Sequence, residues 1–301
     1  WSDDDLRRAD AKGEFVRPVS PFRHFIGEAN GEFPAESGRY HLFVNAGCPW
    51  AYRTILYRSL KGLAPHVSLS YTRPAAGPEG WTFGEKPESI LGARHMHDVY
   101  SRADDKFTGR ATVPVLWDLE RQTIVNNESA EIIRMLNSAF DGFDGVASAD
   151  YYPEDLAAEI DALNETIYEN VNNGVYRCGF AQSQAAYDAA FDRLFETLDA
   201  LDARLADRRY LFGEEPTEAD WRLFATLVRF DAAYYGQFRC NRNQLVDFER
   251  LWPYTRDLYQ QPRVAETVDL EAIKGIYYGS RPPHLIPKGP RIDFLEPHGR
   301  A

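Results

Sequence analysis

The sequence predicts an α/β domain followed by an all-α domain, because the hydrophobic pattern changes its period once along the chain. Before residue 145, short apolar runs typical of strands alternate with amphipathic segments typical of helices. After the polar segment 141–152, apolar residues recur at the helical period as far as about residue 274. A chain of 301 residues is long enough to give each domain its own core.

The first domain is predicted to begin with a strand, a helix and a second strand. Residues 1–38 form an irregular arm in this prediction, since glycines and prolines interrupt any period. Residues 39–46 alternate as a strand does, and residues 50–63 have the apolar spacing of a helix that Gly62 can end. Residues 66–72 form the second strand.

The same domain is predicted to end with a hairpin and a helix. A long polar segment comes first, and it contains a short predicted helix near residues 89–102. The runs at 113–118 and 122–126 are short, apolar and joined by a charged turn, which is typical of a β-hairpin. The helix that follows is expected to be capped by Asn127 or Asn126. The element order is therefore βαβ-ββα.

Three segments follow from these patterns. They are an arm at 1–38, an α/β domain at 39–145, and a helical domain at 146–301 with a proline-rich, extended tail. Within the helical domain, Thr217 and Asp220 have the spacing of a capping box, which marks the start of a helix.

The composition limits the classes of partner. The net charge of −12 argues against nucleic acid and anionic membranes, since both bind clustered Lys and Arg. No run approaches the roughly 20 apolar residues of a membrane span. The charged start has no apolar region of a signal peptide, so none is expected. We therefore expect a small-molecule partner, with no nucleic acid and no membrane.

Cysteine and histidine usage points to a cytoplasmic protein without a metal. The three cysteines, Cys48, Cys178 and Cys240, are too few for a disulfide framework and indicate a reducing compartment. None of them pairs at C-x-x-C spacing. His95 and His97 are two positions apart, a spacing that directs side chains apart on a helix. No metal site is expected.

Cys48 is predicted to be a reactive thiolate, because it lies where a strand gives way to a helix. The N–H groups and dipole at a helix N-terminus stabilise a thiolate and lower the pKa of its thiol. Pro49 suits the first helical position, and Gly47 allows a close backbone approach. Ala51 stands where a resolving cysteine would be, so an external thiol must complete a redox cycle. The alternative interpretation of Cys48 is a small buried hydrophobe.

Two further patterns point to glutathione as that thiol. Pro114 interrupts a strand, and a cis bond before it would turn the N–H and C=O of Val113 outward to pair with an extended peptide. Glu128 and Ser129 open a helix whose N–H groups and hydroxyl can hold a carboxylate. A ligand with a thiol at one end, a carboxylate at the other and peptide groups between would use all three features. Glutathione has this structure.

The order of these motifs resembles a known family, in which a thioredoxin-like domain precedes a helical domain. The chain looks like a glutathione S-transferase, and most like the xi class, the glutathionyl-hydroquinone reductases. The resemblance covers Phe15 to Pro290, and within the class it is strongest to bacterial enzymes of chlorinated-phenol breakdown. It rests on Trp81 and on the segments NAGCPWAYR, TVPVLWD, NNESAEIIRMLN, NNGVYRCGFA, TEADWRLFATLVRFDAAY, FRCN and IKGIYYGS.

The resemblance implies reduction of glutathionyl-hydroquinones to hydroquinones through Cys48. The Cys48 thiolate would attack the glutathione sulfur, release the hydroquinone and keep a mixed disulfide, which a second glutathione would resolve to glutathione disulfide. Tyr176 and Tyr277 would assist catalysis, and both would face the hydroquinone together with Tyr234. Trp81 and Arg110 would contact glutathione. Cys178 and Cys240 are interpreted as structural.

The sequence departs from the family pattern at one point and leaves two alternatives open. A histidine often precedes the paired tyrosines in the family, whereas Ile276 stands there in this chain. Tyr235 and Tyr278 are the adjacent alternatives to the tyrosines named above. The natural hydroquinone is not identified by these patterns.

Other functions on the same fold compete with this one. A conjugating transferase would hold glutathione as a thiolate with a Ser or Tyr hydroxyl, whereas a Cys there tends to form a mixed disulfide. A reductive dehalogenase is a second enzymatic alternative. A non-enzymatic ligand carrier would not need Cys48 and Pro49.

The resemblance and the aromatic-rich helical half also predict a homodimer.

Overall fold

The computed structural model describes residues 9–27, 31–280 and 282–300, which divide into two compact units. The first unit contains Pro18–Ala149 and Glu266–Ile286, and the second contains Asp150–Ala265 with residues 9–17 and 287–300. Within the described residues, no helix combines the length and the apolar character that a membrane-spanning segment needs.

The first unit is built on a four-stranded sheet, which confirms the predicted βαβ-ββα order. Strand β1 pairs with β2 in parallel and with β3 antiparallel, and β3 pairs antiparallel with β4, so the spatial order is β2-β1-β3-β4. All five β1 residues are buried, as expected for a central strand covered on both faces. The strands are β1 (Tyr40–Val44), β2 (Val67–Tyr71), β3 (Val115–Asp118) and β4 (Thr123–Asn126).

Three helices complete the core of this unit. Helix α1 (Pro49–Leu60) connects β1 to β2 and packs against α3 (Ser129–Ser138), which follows the hairpin. Helix α2 (Met96–Ala103) is the short helix expected in the polar segment, but it begins seven residues later than the position 89 predicted from sequence. The buried apolar residues of α3 include Ile132 and Ile133, in agreement with its predicted apolar face.

A carboxylate explains the late start of α2. The Glu88 side chain is buried and accepts hydrogen bonds from the N–H groups of Ile90, Leu91 and Ala93 at 2.7, 2.6 and 3.1 Å. A side chain that satisfies several backbone donors in this way stabilises a turn in place of a helix. The sequence pattern alone did not reveal this competition.

Part of the N-terminal arm is ordered by pairing with the sheet. Arg23 forms an isolated bridge with Asn126 of β4. The His24 N–H donates to the Val125 carbonyl at 3.0 Å, and the Asn127 N–H donates to the Phe22 carbonyl at 3.1 Å. This short pairing covers the open edge of β4, which would otherwise leave backbone groups unpaired.

The second unit is helical, as predicted. Its α7 helix begins with the expected capping box, in which buried Asp220 accepts from the Thr217 N–H at 2.7 Å. The same carboxylate accepts from the Tyr254 hydroxyl at 2.8 Å and from the Leu211 N–H at 2.9 Å. The helices are α4 (Ala157–Ile167), α5 (Gly174–Phe180), α6 (Gln184–Arg204), α7 (Glu218–Leu227), α8 (Tyr235–Gln237) and α9 (Leu251–Gln260).

After α9 the chain returns to the first unit. The Tyr52 hydroxyl lies 3.0 Å from the Thr267 hydroxyl, and the Ala76 N–H donates to the Ser280 hydroxyl at 3.1 Å. This segment carries the last helix, α10 (Leu270–Lys274). The sequence-based division at residue 145 stays a prediction about domains, whereas the compact units place Glu266–Ile286 with the α/β half.

Candidate active site

Cys48 occupies the N-cap position of α1, as the sequence predicts. Its backbone is extended, with φ −73° and ψ 124°, and Pro49 is the first helical residue. The residue is buried, with 6% of its surface exposed. The thiol therefore lies where the free N–H groups and positive end of a helix favour a negative charge.

Asn45 holds the turn that carries this cysteine. Its side-chain oxygen accepts from the N–H groups of Gly47 at 2.9 Å and Cys48 at 3.2 Å. Its amide nitrogen donates to the Thr72 hydroxyl at 2.9 Å and to the Arg73 carbonyl at 2.7 Å. The fully buried amide thus ties the end of β1 to the segment after β2. Sequence reasoning missed the role of Asn45. The signal was available, because an asparagine side chain often accepts from the backbone N–H two residues further on and so forms a turn.

Gly47 brings the C-terminal segment of the unit against the same turn. A Cβ atom added at Gly47 would lie 2.4 Å from the Ala272 carbonyl oxygen and 2.8 Å from Cγ2 of Ile276. The close approach expected at this glycine therefore exists, and its partner is another part of the chain. It sets Ile276, and hence the turn that carries Tyr277, beside the Cys48 loop.

Val113 lies next to the cysteine. The Cys48 Sγ is 4.0 Å from the Val113 carbonyl oxygen, within the range of a weak thiol hydrogen bond. The Val113–Pro114 peptide bond is cis, as the sequence predicts. The cysteine and the expected peptide-pairing residue are therefore brought together.

Glu128 and Ser129 open α3, but the capping differs from the prediction. Glu128 is the N-cap, and its side chain accepts from the Ala130 N–H at 3.2 Å. Asn126 instead accepts from the Glu128 N–H, and Asn127 accepts from the Phe22 N–H, so neither asparagine caps the helix. The expected cap was wrong because both side chains bond to neighbouring backbone before the helix begins.

Arg53 connects this second helix start to α1, and sequence reasoning missed it. Its guanidinium donates to the Ser129 hydroxyl at 3.3 Å and lies 4.8 Å from the centre of the Trp50 ring. Only 2% of Arg53 is exposed. A buried positive charge at this point adds to the attraction of the two helix N-termini for an anion.

Trp81 and Arg110 belong to loops of the same unit. Trp81 is half-buried, and its carbonyl accepts from the Met96 N–H at 2.9 Å, which fixes its loop to the start of α2. Arg110 is half-buried in the loop that leads to Val113. Their contact with glutathione stays a prediction.

The three candidate tyrosines are divided between the units. Tyr277 is buried in the first unit, within the π-helical turn Gly275–Gly279. Tyr176 and Tyr234 belong to the second unit, where their ring centres are 6.1 Å apart. The Arg17 guanidinium lies 4.8 Å from the centre of the Tyr176 ring. Tyr234 is fully buried. Their role towards a hydroquinone stays a prediction.

All three tyrosines are associated with π-helical turns. Tyr234 ends the turn Phe230–Tyr234, Tyr277 lies in Gly275–Gly279, and Tyr176 lies in the helix just after Tyr168–Asn172. Such turns are rare and occur frequently at functional sites. Sequence reasoning missed these turns, because one extra residue in a helical turn barely changes the hydrophobic period.

The other two cysteines are unsuited to act as nucleophiles. Cys178 and Cys240 are both fully buried in the second unit. Burial raises the pKa of the Cys240 thiol well above its usual range, and the adjacent Cys178 thiol raises it further. Cys240 would therefore remain a neutral thiol at neutral pH, and the full burial of both cysteines agrees with the structural interpretation.

Family comparisons agree with this arrangement. Residues 47–139 match the N-terminal domain of glutathione S-transferases, and residues 184–257 match the C-terminal domain. Glutathionyl-hydroquinone reductase YqjG of Escherichia coli is 44% identical over 100% of this chain and 96% of its own length. Glutathionyl-hydroquinone reductase PcpF of Sphingobium chlorophenolicum is 46% identical over 96% of this chain and 94% of its own.

Solved structures give the same result. The glutathione-bound structure of YqjG from Escherichia coli is 45% identical, with a TM-score of 0.89 over 93% of this chain and 96% of that one. The glutathione S-transferase Xi from Phanerochaete chrysosporium is 42% identical, with a TM-score of 0.91 over 96% of both chains. The chain therefore belongs to the glutathione S-transferase family, in the group that contains the xi-class enzymes and the glutathionyl-hydroquinone reductases.

Proposed function

We propose that this protein is an enzyme that uses glutathione to reduce S-glutathionyl-hydroquinones, including chlorinated ones, to hydroquinones. The observation that carries the proposal is Cys48 at the N-cap of α1, followed by Pro49 and with Ala51 in place of a resolving cysteine. The names of the relatives YqjG and PcpF support the same substrate class.

The first half of the reaction breaks a carbon–sulfur bond. The Cys48 thiolate attacks the sulfur of the conjugate, and a sulfur–sulfur bond forms as the aromatic carbon leaves with the bonding electrons. A proton added earlier to the sulfur-bearing ring carbon gives a keto tautomer, which accepts those electrons as an enolate, and a proton delivered to the enolate oxygen completes the hydroquinone. The enzyme is left as a Cys48–glutathione mixed disulfide.

The second half is thiol–disulfide exchange. A second glutathione thiolate attacks the glutathione sulfur of the mixed disulfide, releases glutathione disulfide and regenerates the Cys48 thiolate. The helix N-terminus favours this step as well, because it stabilises the departing Cys48 thiolate. The two glutathione sulfurs, one from the conjugate and one from the free thiol, are oxidised together to the disulfide and supply both electrons, so residues other than Cys48 need only bind, orient and transfer protons.

Glutathione would be held along the first unit. The Val113 backbone next to Cys48 can pair with its peptide groups, and Ser129 can hold a carboxylate at the start of α3 with Arg53 behind it. Glu128, half-buried at the same helix start, can pair with the amino group of the ligand. Trp81 and Arg110 would complete the contact from their loops.

The product test is direct. With a glutathionyl-hydroquinone and free glutathione, we expect one hydroquinone and one glutathione disulfide for each conjugate consumed, measured by chromatography. Formation of hydroquinone without glutathione disulfide would contradict the mixed-disulfide route. Rapid conjugation of a chloronitrobenzene, with no hydroquinone released, would instead support a conjugating transferase.

Tyr277 is proposed to donate a proton or hydrogen bond to the hydroquinone. Tyr277→Phe is expected to lower kcat for hydroquinone release by roughly 10- to 100-fold, since general acid–base assistance is typically worth at least this much. Tyr278→Phe is the matched control and is expected to change kcat less than threefold. The reverse result, measured in the same assay, would assign the role to Tyr278. Tyr176 is proposed to assist catalysis in the same way, and both Tyr176 and Tyr234 are proposed to face the hydroquinone.

Three further features stay predictions. The protein is proposed to act in the cytoplasm, to form a homodimer and to have no nucleic acid or membrane partner. The resemblance to the family and the net charge of −12 support them. Sedimentation as a monomer at micromolar concentration would contradict the homodimer.

A further inference from the structure

Three side chains that the proposed reaction does not use converge beside the Trp81 loop. They are Glu79, His95 and His97, and one potential ligand atom from each lies within 4.8 Å of the others. The Glu79 Oε2 atom is 3.4 Å from His95 Nδ1 and 3.7 Å from His97 Nε2. All three residues belong to the first unit.

The two histidines meet because only one of them is helical. His95 is the N-cap of α2, with an extended backbone at φ −132° and ψ 158°, and His97 is the second residue of the helix. Their rings are nearly parallel, 9° apart in angle, with centres separated by 5.0 Å. The sequence-based reason for expecting no metal site, that residues two apart diverge on a helix, is therefore wrong at this position.

We propose that Glu79, His95 and His97 bind one divalent transition-metal ion of the zinc class. Two imidazoles and a carboxylate are the donor set that such ions prefer. In a tetrahedral site with bonds of about 2.0–2.1 Å, ligand atoms lie about 3.3 Å apart. The observed 3.4 and 3.7 Å separations are close to that spacing, and rotation of the two nearly parallel rings, so that their nitrogen lone pairs meet at one point, would close the site.

A second carboxylate orients one of the ligands. The Nδ1 atom of His97 lies 3.2 Å from Asp98 Oδ1, which leaves Nε2 of the same ring directed towards Glu79. The other Asp98 oxygen is fixed by the N–H groups of Arg94 and His95, both at 2.9 Å. A carboxylate behind a ligand histidine is the usual outer partner in metal sites, and it sets both the tautomer and the ring orientation.

The ion would link the Trp81 loop to the start of α2, and Trp81 is one of the residues proposed to contact glutathione. Glu79 lies two residues before Trp81, and the Trp81 carbonyl is bonded to the Met96 N–H between the two histidines. Three protein ligands would leave a fourth position for water or an external donor. A bound ion would hold the Trp81 loop to the start of α2. Any effect on glutathione affinity rests on the proposed function, whereas metal binding itself does not.

The test uses Co²⁺ as a coloured probe and Zn²⁺ as its competitor. The full chain carries Cys48→Ser, so that the reactive thiol cannot bind the metal, and it has no affinity tag. We expect one equivalent of Co²⁺ to give saturable visible absorption bands that Zn²⁺ abolishes. In that background, Glu79→Gln is expected to weaken Co²⁺ binding at least tenfold, and His97→Ala to abolish the bands.

The controls separate a built site from general binding. His24→Ala removes an exposed histidine outside the cluster and is expected to leave the titration unchanged. Glu79 is an exposed side chain, so Glu79→Gln should keep the fold, which far-ultraviolet circular dichroism can verify. The proposal would be overturned if the Cys48→Ser chain showed no saturable Co²⁺ binding at 100 µM. It would also be overturned if the Glu79→Gln and His97→Ala variants bound Co²⁺ as tightly as the Cys48→Ser chain. Neither result depends on reductase activity, so it leaves the proposed function untouched.

Discussion

Replacement of Cys48 with alanine is expected to lower the rate of hydroquinone release from a glutathionyl-hydroquinone by at least about a thousandfold, or about 4 kcal/mol in activation free energy. The variant removes the atom that forms the new sulfur–sulfur bond, and the other two cysteines are fully buried in the second unit. Intact mass measured without free glutathione should show one glutathionyl adduct on the wild-type protein and none on the variant.

Cys178→Ala is the matched control for this experiment. Cys178 is fully buried in the second unit, whereas Cys48 belongs to the first, so the variant removes a thiol and leaves Cys48 in place. It should keep the adduct on Cys48 and keep a rate within about threefold of wild type, provided that circular dichroism shows a folded protein. If Cys48→Ala released hydroquinone at more than a tenth of the wild-type rate, the thiol mechanism would be contradicted and a conjugating enzyme would be favoured.

The sequence was most informative where one residue type has a narrow structural use. Cys48 with Pro49 predicted the N-cap of α1, and Val113 with Pro114 predicted the cis bond, because few other environments suit these pairs. The strands of the first unit were also predictable, since apolar runs bounded by turn residues are distinctive. The N-cap cysteine, the cis peptide bond and the order of the strands could therefore be predicted from the sequence.

The features that the sequence did not reveal depend on contacts between distant residues. Asn45 holds the Cys48 turn because Thr72 and Arg73 lie beside it and accept its hydrogen bonds. Gly47 is needed there because the Ala272 carbonyl lies where a Cβ atom would be. The π-helical turns and the meeting of His95 with His97 depend on single residues leaving ideal helical geometry. A hydrophobic period averages over such departures, so it cannot predict them.

A pH-dependent loss of stability is expected from His41, a buried residue of β1. Only 1% of this side chain is exposed, its Nδ1 lies 2.7 Å from the Ser68 hydroxyl, and its ring packs against Phe43 at 4.6 Å between centres. Among the described residues, Nε2 meets no hydrogen-bonding partner. Burial lowers the pKa of His41 to about 4, with the Glu88 carboxylate opposing this shift and the Arg58 guanidinium adding to it.

The direction of the pH effect follows from proton uptake by the unfolded chain. Between pH 6.5 and 4 the unfolded imidazole is protonated while the folded one stays neutral, so the free energy of unfolding falls as the pH falls. This group alone should remove about 2 kcal/mol from the free energy of unfolding between pH 7 and 5, and about 3 kcal/mol by pH 4.

Urea unfolding of the wild type and of His41→Gln at both pH 7 and pH 5 isolates the contribution of His41, because the contributions of the other titrating groups cancel in the comparison. His41→Gln should be less stable than wild type at pH 7, and the difference in the free energy of unfolding should narrow by about 2 kcal/mol at pH 5. Parallel curves for His41→Gln would mean that the folded protein accepts a proton on His41, and that burial in the sheet does not keep this imidazole neutral.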